Sequence, residues 1–166
     1  MNSFVHQRHK PPTQLERERE LILALPPLHS NVNLARIVRL AGCCGLRQVI
    51  ACGHTRIDPK IARDALQQVE IQRHRSLAPQ LRELKRQGYR LIGLEQTSSS
   101  QDLHHYQFPR RAVLVVGNER VGLDDEILSL LDDVVEIPVY GRPYSYNVAT
   151  ATAMALYEYC RQYPTG

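Results

Sequence analysis

The chain has 166 residues, 43% of them hydrophobic and 23% charged, with a net charge of +4. This describes one soluble, globular domain large enough to bury a real core. The longest apolar run, Leu21 to Leu28, is interrupted by Pro26 and Pro27 and is far too short for a membrane helix, and residues 1–20 lack the apolar segment of a signal peptide.

The net charge hides an asymmetry. Of the 21 lysines and arginines, 16 fall in residues 1–90, making that half +9 and the remainder −5. A basic N-terminal half suggests a polyanion such as RNA, although arginines on solvated helix faces give the same composition. Cys43, Cys44, Cys52 and Cys160 have no Cys-x-x-Cys spacing and read as free thiols in a reducing cytoplasm rather than metal ligands.

Residues 1–20 have no apolar period. They are expected to form a basic, flexible tail, with the domain proper running from 21 to 166; the tail is either plainly disordered or an arm that touches RNA. Leu21–Leu25 reads as a buried strand. Asn31 or Asn33 then caps a helix to about Cys44, closed by Gly45. At 100° per residue, Leu34, Ile37, Val38 and Ala41 share one face, while Arg36 and Arg39 lie together on the other. Taken alone, that pair reads as two solvated arginines, with a phosphate or ribose contact as the sharper alternative.

Gln48–Cys52 is the second strand. Residues 59–65 form a helical turn, 69–71 a strand, and Ser76–Gln87 an amphipathic helix with Leu77, Leu81 and Leu84 inward. Tyr89–Leu94 is a strand and 97–100 a loop. Ala112–Val116, apolar throughout, belongs in the middle of a parallel sheet. Gly117–Leu123 follows as a loop, then a helix whose acidic start at 124–126 suits the helix dipole. Val134–Ile137 is the last strand, stopped at Pro138. Ser145 and Asn147, both good N-caps, introduce a final Ala-rich helix. Its apolar residues run nearly all round the axis, which in a small domain implies a partner subunit. The alternation defines an α/β domain with a mainly parallel sheet.

In such sheets ligands bind beyond the carboxyl ends of the strands. Three loops leave such ends: near Glu95, at Gly117–Gly122, and from Pro138 to Asn147. The Walker A, Gly-x-Gly-x-x-Gly and Gly-x-Ser-x-Gly patterns are absent, and the histidines have no metal-ligand spacing, so no metal is expected.

Three segments carry a resemblance. Asn33-Leu-Ala-Arg-Ile-Val-Arg39 with Gly45, Val116-Gly-Asn-Glu-Arg-Val-Gly-Leu123, and Ile137-Pro138 with Ser145-Tyr-Asn-Val148 resemble, in order, the three motifs of the SpoU/TrmH-like RNA ribose 2′-O-methyltransferases of the SPOUT superfamily. The resemblance covers residues 21 to about 162. It implies a mainly parallel α/β sheet flanked by helices, with a C-terminal deep trefoil knot, a feature almost absent among folds. It also implies S-adenosylmethionine held by the knot loops at Glu95, Gly117, Ile137, Ser145 and Tyr146, and a homodimer built through the first and last helices. Arg39 resembles the family's catalytic arginine, with Asn33, Glu119, Ser145 and Asn147 shaping the site around it; for Glu119 and Asn147, holding the knot loops is as good a role as direct chemistry. RNA, either tRNA or rRNA, is expected to contact Arg36, Arg39, Arg47 and Arg63. Tyr146 stands where the family has Leu and Val139 where it has Met. The alternatives are a knotted dimer that holds RNA or cofactor without catalysis, and methylation of another acceptor such as a base nitrogen.

Overall fold

A computed structural model describes residues 3–54 and 56–166. Seven strands form one sheet in the order β3-β2-β1-β6-β4-β7-β5, and every strand pairing is parallel. The strands are β1 (Leu21–Leu25), β2 (Gln48–Cys52), β3 (Glu70–His74), β4 (Arg90–Leu94), β5 (Gln101–Asp102), β6 (Ala112–Val116) and β7 (Asp133–Glu136). The helices are α1 (Asn31–Cys43), α2 (Pro59–Ala62), α3 (Ala65–Gln68), α4 (Ala78–Arg86), α5 (Asp125–Leu130) and α6 (Val148–Gln162).

The sequence of β1 explains the layering. Successive side chains of a strand point to opposite faces. Leu21, Leu23 and Leu25 therefore pack with Ile37 and Val38 of α1 and Leu156 and Tyr159 of α6. Ile22 and Ala24 pack on the other side with Leu81 of α4 and Ile127 of α5. β1 and β6, the two strands buried at every position, lie side by side, with Leu23 opposite both Val49 and Leu114. β3 is the contrasting edge strand. Its sequence Glu-Ile-Gln-Arg-His is charged and half exposed, which protects an unpaired edge.

Several element boundaries differ from the sequence reading. Ser30, not Asn31 or Asn33, caps α1: its side chain accepts from Asn33 N at 3.2 Å. Asn147 rather than Ser145 caps α6, accepting from Ala149 N at 2.9 Å and Thr150 N at 3.3 Å. The single turn expected over 59–65 is two short helices, separated where Arg63 takes φ 55°, a left-handed conformation that no helix continues through. The strand expected at 69–71 runs from Glu70 to His74, and the two-residue β5 was not foreseen.

Residues 1 and 2 of the expected tail lie outside the described residues. From Leu15 onward the segment is held against the body. Glu16 N donates to Thr165 O at 2.8 Å. Arg19, only 8% exposed, donates from Nε to Cys44 O at 2.7 Å and from Nη1 to Tyr163 O at 2.6 Å. Those carbonyls end α1 and α6, so one guanidinium satisfies the negative ends of two helices. Arg19→Ala should lower stability by about 2–3 kcal/mol in urea unfolding, because two charge-assisted hydrogen bonds to half-buried carbonyls are lost. Among the described residues no helix is long and apolar enough to cross a membrane.

Candidate functional site

The loops leaving β4, β6 and β7 meet over a cavity of about 690 Å³. Glu95, Gly117, Ile137, Ser145 and Tyr146 all line it, and so do Asn33, Glu119 and Asn147. Its remaining wall is largely apolar, from Leu94, Val116, Leu128 and Val139.

The loop after β6 is shaped by its glycines. Asn118 and Gly122 exchange two backbone hydrogen bonds, each 3.0 Å, folding the loop back on itself. A Cβ on Gly117 would lie 2.8 Å from the Gly122 carbonyl carbon, so no side chain fits there. Gly122 has φ +68°, and a Cβ on it would collide with the Glu95 carboxylate. Glu95 itself is engaged: one oxygen accepts from Gln96 N at 2.9 Å and the other from Leu123 N at 3.1 Å. Its side chain thus fastens the loop after β4 to the loop after β6. The Asn118 side chain ties the same loop to the segment before α1, donating to Pro27 O at 2.9 Å.

Glu119 reaches from that loop to the start of α1. It accepts from His29 N at 2.8 Å, Ser30 N at 3.0 Å and Asn33 Nδ2 at 3.2 Å. Asn33 Oδ1 in turn accepts from Asn147 Nδ2 at 3.3 Å. One hydrogen-bonded line therefore runs Glu119–Asn33–Asn147 and joins the β6 loop, the N-terminus of α1 and the N-terminus of α6. Burial alone pushes the Glu119 carboxyl up, but the donors from His29, Ser30, its own backbone and Asn33 outweigh it and hold it below the ordinary carboxylate range. An ionised acceptor at a helix N-terminus is the charge that place favours. Both oxygens are spoken for, and Asn147 also caps α6, so in this chain both side chains hold the loops together.

Ser145 is exposed and makes no side-chain hydrogen bond among the described residues, which leaves its hydroxyl open at the cavity. Tyr146, 39% exposed, is one of the cavity's lining residues.

The arginines are not gathered here. Arg36 and Arg39 stand exposed on α1, with no hydrogen bond or ion pair among the described residues, and neither lines the cavity. Arg39 is six residues beyond Asn33, about 9 Å along the helix and roughly 240° around it. Arg47, at the start of β2, pairs with Glu18, and Arg63 sits between α2 and α3. The structure adds Arg120, which sequence reading passed over: it lines the cavity, and its guanidinium lies 3.0 Å from His29 Nε2. Its place inside the Gly117–Leu123 motif was the available signal. Among the described residues no group of three or more His, Cys, Asp or Glu is placed to hold a metal ion.

Residues 20–157 match the sequence profile described as the SpoU rRNA Methylase family. The chain belongs to that family. The tRNA (guanosine(18)-2'-O)-methyltransferase of Escherichia coli K12 is 28% identical over 149 residues, covering 88% of this chain and 65% of that protein. The chain therefore spans less than two thirds of that relative's length. Among solved structures, the TrmH/SpoU tRNA modifying enzyme of A. aeolicus superposes with a TM-score of 0.84 at 27% identity, over 90% of this chain and 78% of that one. AviRb from Streptomyces viridochromogenes, a SpoU methyltransferase in complex with AdoMet, superposes with a TM-score of 0.76 at 27% identity, over 92% of this chain and 64% of that one. The fold is that of these enzymes. Strands formed late in the chain are inserted beside early ones, β6 between β1 and β4 and β7 between β4 and β5.

Proposed function

We propose that the chain is an S-adenosylmethionine-dependent methyltransferase that acts on a ribose 2′-hydroxyl of tRNA or rRNA, as a homodimer in the cytoplasm. The observation that carries this is the Glu119–Asn33–Asn147 line, which fixes three separate segments around one cavity at the strand ends.

The cavity suits the cofactor. Its volume is that of a small-molecule site. Leu94, Ile137 and Val139 offer an apolar wall for an adenine ring, and the bare backbone at Gly117 allows close approach. Glu136 and the ionised Glu119 line the same space and favour a cation. When bound, S-adenosylmethionine supplies an electrophilic methyl group on a positively charged sulfur. The chain's part is to place a ribose hydroxyl in line with that methyl.

Arg39 is the residue we assign to the hydroxyl. An arginine stays protonated and is no general base. Its fork of donors orients the hydroxyl, together with a substrate phosphate, and stabilises the negative charge that develops as the proton departs. Within one chain it faces away from the cavity, so it serves the cavity of a second copy. The surface around it supports that dimer. α1 exposes Val32 and Cys43 with Leu40 half-buried, and α6, packed beside it, exposes Tyr157 (75%) with Met154 half-buried. An apolar patch of this kind on a soluble domain marks an interface. Arg36, on the same exposed side of α1, is assigned to the RNA backbone, as are Arg47 and Arg63 at its periphery. All four cysteines are free, in keeping with a reducing compartment.

Calorimetric titration with S-adenosylmethionine, run beside a native mass measurement, tests this reading. Saturable binding, one per chain, to a species of twice the chain's 19.0 kDa is the expected result. No binding at millimolar cofactor, with or without total cellular RNA, would refute it.

A further inference from the structure

The loop between β7 and α6 carries three tyrosines within seven residues. Tyr140 is 82% exposed, Tyr144 71% and Tyr146 39%. By contrast Tyr106 and Tyr159 are buried in the core under the same fold. Large rings left in water are normally single and scattered, whereas these three share one loop whose Val139, Ser145 and Tyr146 line the cavity, so that Tyr140 and Tyr144 each directly adjoin a lining residue.

Their faces are available because their edges are tethered. The Tyr140 hydroxyl is hydrogen-bonded to His104 Nε2 at 3.0 Å, which anchors the far end of the ring. Tyr144 is held by its backbone, its carbonyl accepting from Gln96 Nε2 at 3.2 Å, and Gln96 is itself a cavity residue. The Arg142 guanidinium carbon lies 5.6 Å from the centre of the Tyr144 ring, within cation–π range, so a cation covers one face and leaves the other for a ligand. Tyr146 completes the series at the wall. Arg120 lines the same cavity.

We propose that the Tyr140–Tyr146 loop is a stacking platform for unpaired bases of the RNA, with Tyr140 and Tyr144 each taking one base beside the nucleotide whose ribose enters the cavity. This rests on the RNA methyltransferase reading and narrows it to a substrate class: a nucleotide in a single-stranded loop or bulge rather than in a duplex. Rings interleaved with an arginine are the combination that binds single strands, since every base has a face to stack and the cation meets the backbone. A paired base in an A-form helix has both faces occupied and its deep groove closed to side chains, so it gains nothing from such a platform. A protein partner is disfavoured by the placement: the loop that carries the rings also lines, through Val139, Ser145 and Tyr146, the cavity that the reacting ribose must enter.

The test uses the full chain and two fluorescein-labelled RNAs, a hairpin with a seven-nucleotide unpaired loop and the same stem as a blunt duplex. Stacking tolerates any sequence, so the loop need not be the natural one. Fluorescence anisotropy should show the hairpin bound more tightly. Tyr140→Ala with Tyr144→Ala should weaken the hairpin by about tenfold or more, leave the duplex unchanged and close the gap between them. Tyr140→Phe with Tyr144→Phe should keep most of the binding, because both ring faces are kept and only the Tyr140–His104 tether is lost. Equal binding by the Ala pair, equal loss in the Phe pair, or no preference in the parent would each overturn the proposal. So would a dimer that becomes monomeric in the Ala pair, which would mean that a second copy covers the rings. Cofactor titration of the same preparations reports separately on the methyltransferase reading, and it should not change in either pair.

Discussion

Replacing Arg39 with alanine is expected to slow methyl transfer by about 10²–10³-fold while cofactor affinity stays within a factor of two. The size is that of losing one preorganised donor aimed at charge which develops only in the transition state. The selectivity follows from placement: Arg39 does not line the cavity of its own chain, so nothing in that cavity collapses without it. Exposed and without an ion pair among the described residues, the side chain is also no structural element, and its removal should leave unfolding unaltered. Lysine should restore only part of the rate, since it keeps the charge but not the planar fork. Service in trans has its own readout. Arg39→Ala mixed with Ile137→Arg, whose new side chain would fill the cavity, should regain activity that neither has alone, because one of the two sites in the mixed dimer is intact. Full activity in Arg39→Ala would remove the residue from the mechanism, and no recovery on mixing would place its action within its own chain.

Glu119→Gln should destabilise the protein by about 2–3 kcal/mol in urea and slow the reaction as well. The carboxylate accepts from two backbone amides and one side chain. An amide keeps one acceptor oxygen and turns the other into a donor facing donors, so at least one amide at the start of α1 loses its partner. The effect depends on pH in a fixed sense. The folded-state pKa of Glu119 lies below its unfolded value, so its contribution is complete above the ordinary glutamate range near pH 4.3 and is lost as pH falls through the lower folded value. The gap between wild type and Gln should therefore be widest near neutrality and narrow in acid. A gap that grew on acidification would mean that Glu119 is protonated in the folded state.

The sequence was most legible where one pattern decides the outcome. β1, β2 and β6 were placed to the residue because their apolar runs are short, bounded and buried on both faces. The three cavity loops were located because parallel sheets put their ligands at one end. What was not legible depends on partners far along the chain. The Glu119 clasp joins residues 86 to 90 positions apart, and Asn33 meets Asn147 across 114. No local pattern records such a pairing. Arg19 was hidden differently: in an alternating Glu and Arg stretch it looked like one more solvated charge, yet it is buried. α3 was missed because it is four residues long and begins after a backbone reversal at Arg63 that only coordinates show.

Arg19 also bears on the order in which the molecule is made. Its two acceptors lie 25 and 144 residues further on, the second at the residue that caps the end of α6. During synthesis the first is available early, but the second does not exist until residue 163 has left the ribosome. Until then the guanidinium is half-satisfied and the segment before β1 has no second anchor. The two ends of the domain thus lock together in one late event, and a nascent chain stalled anywhere before the end of α6 should remain open to protease at residues 15–20.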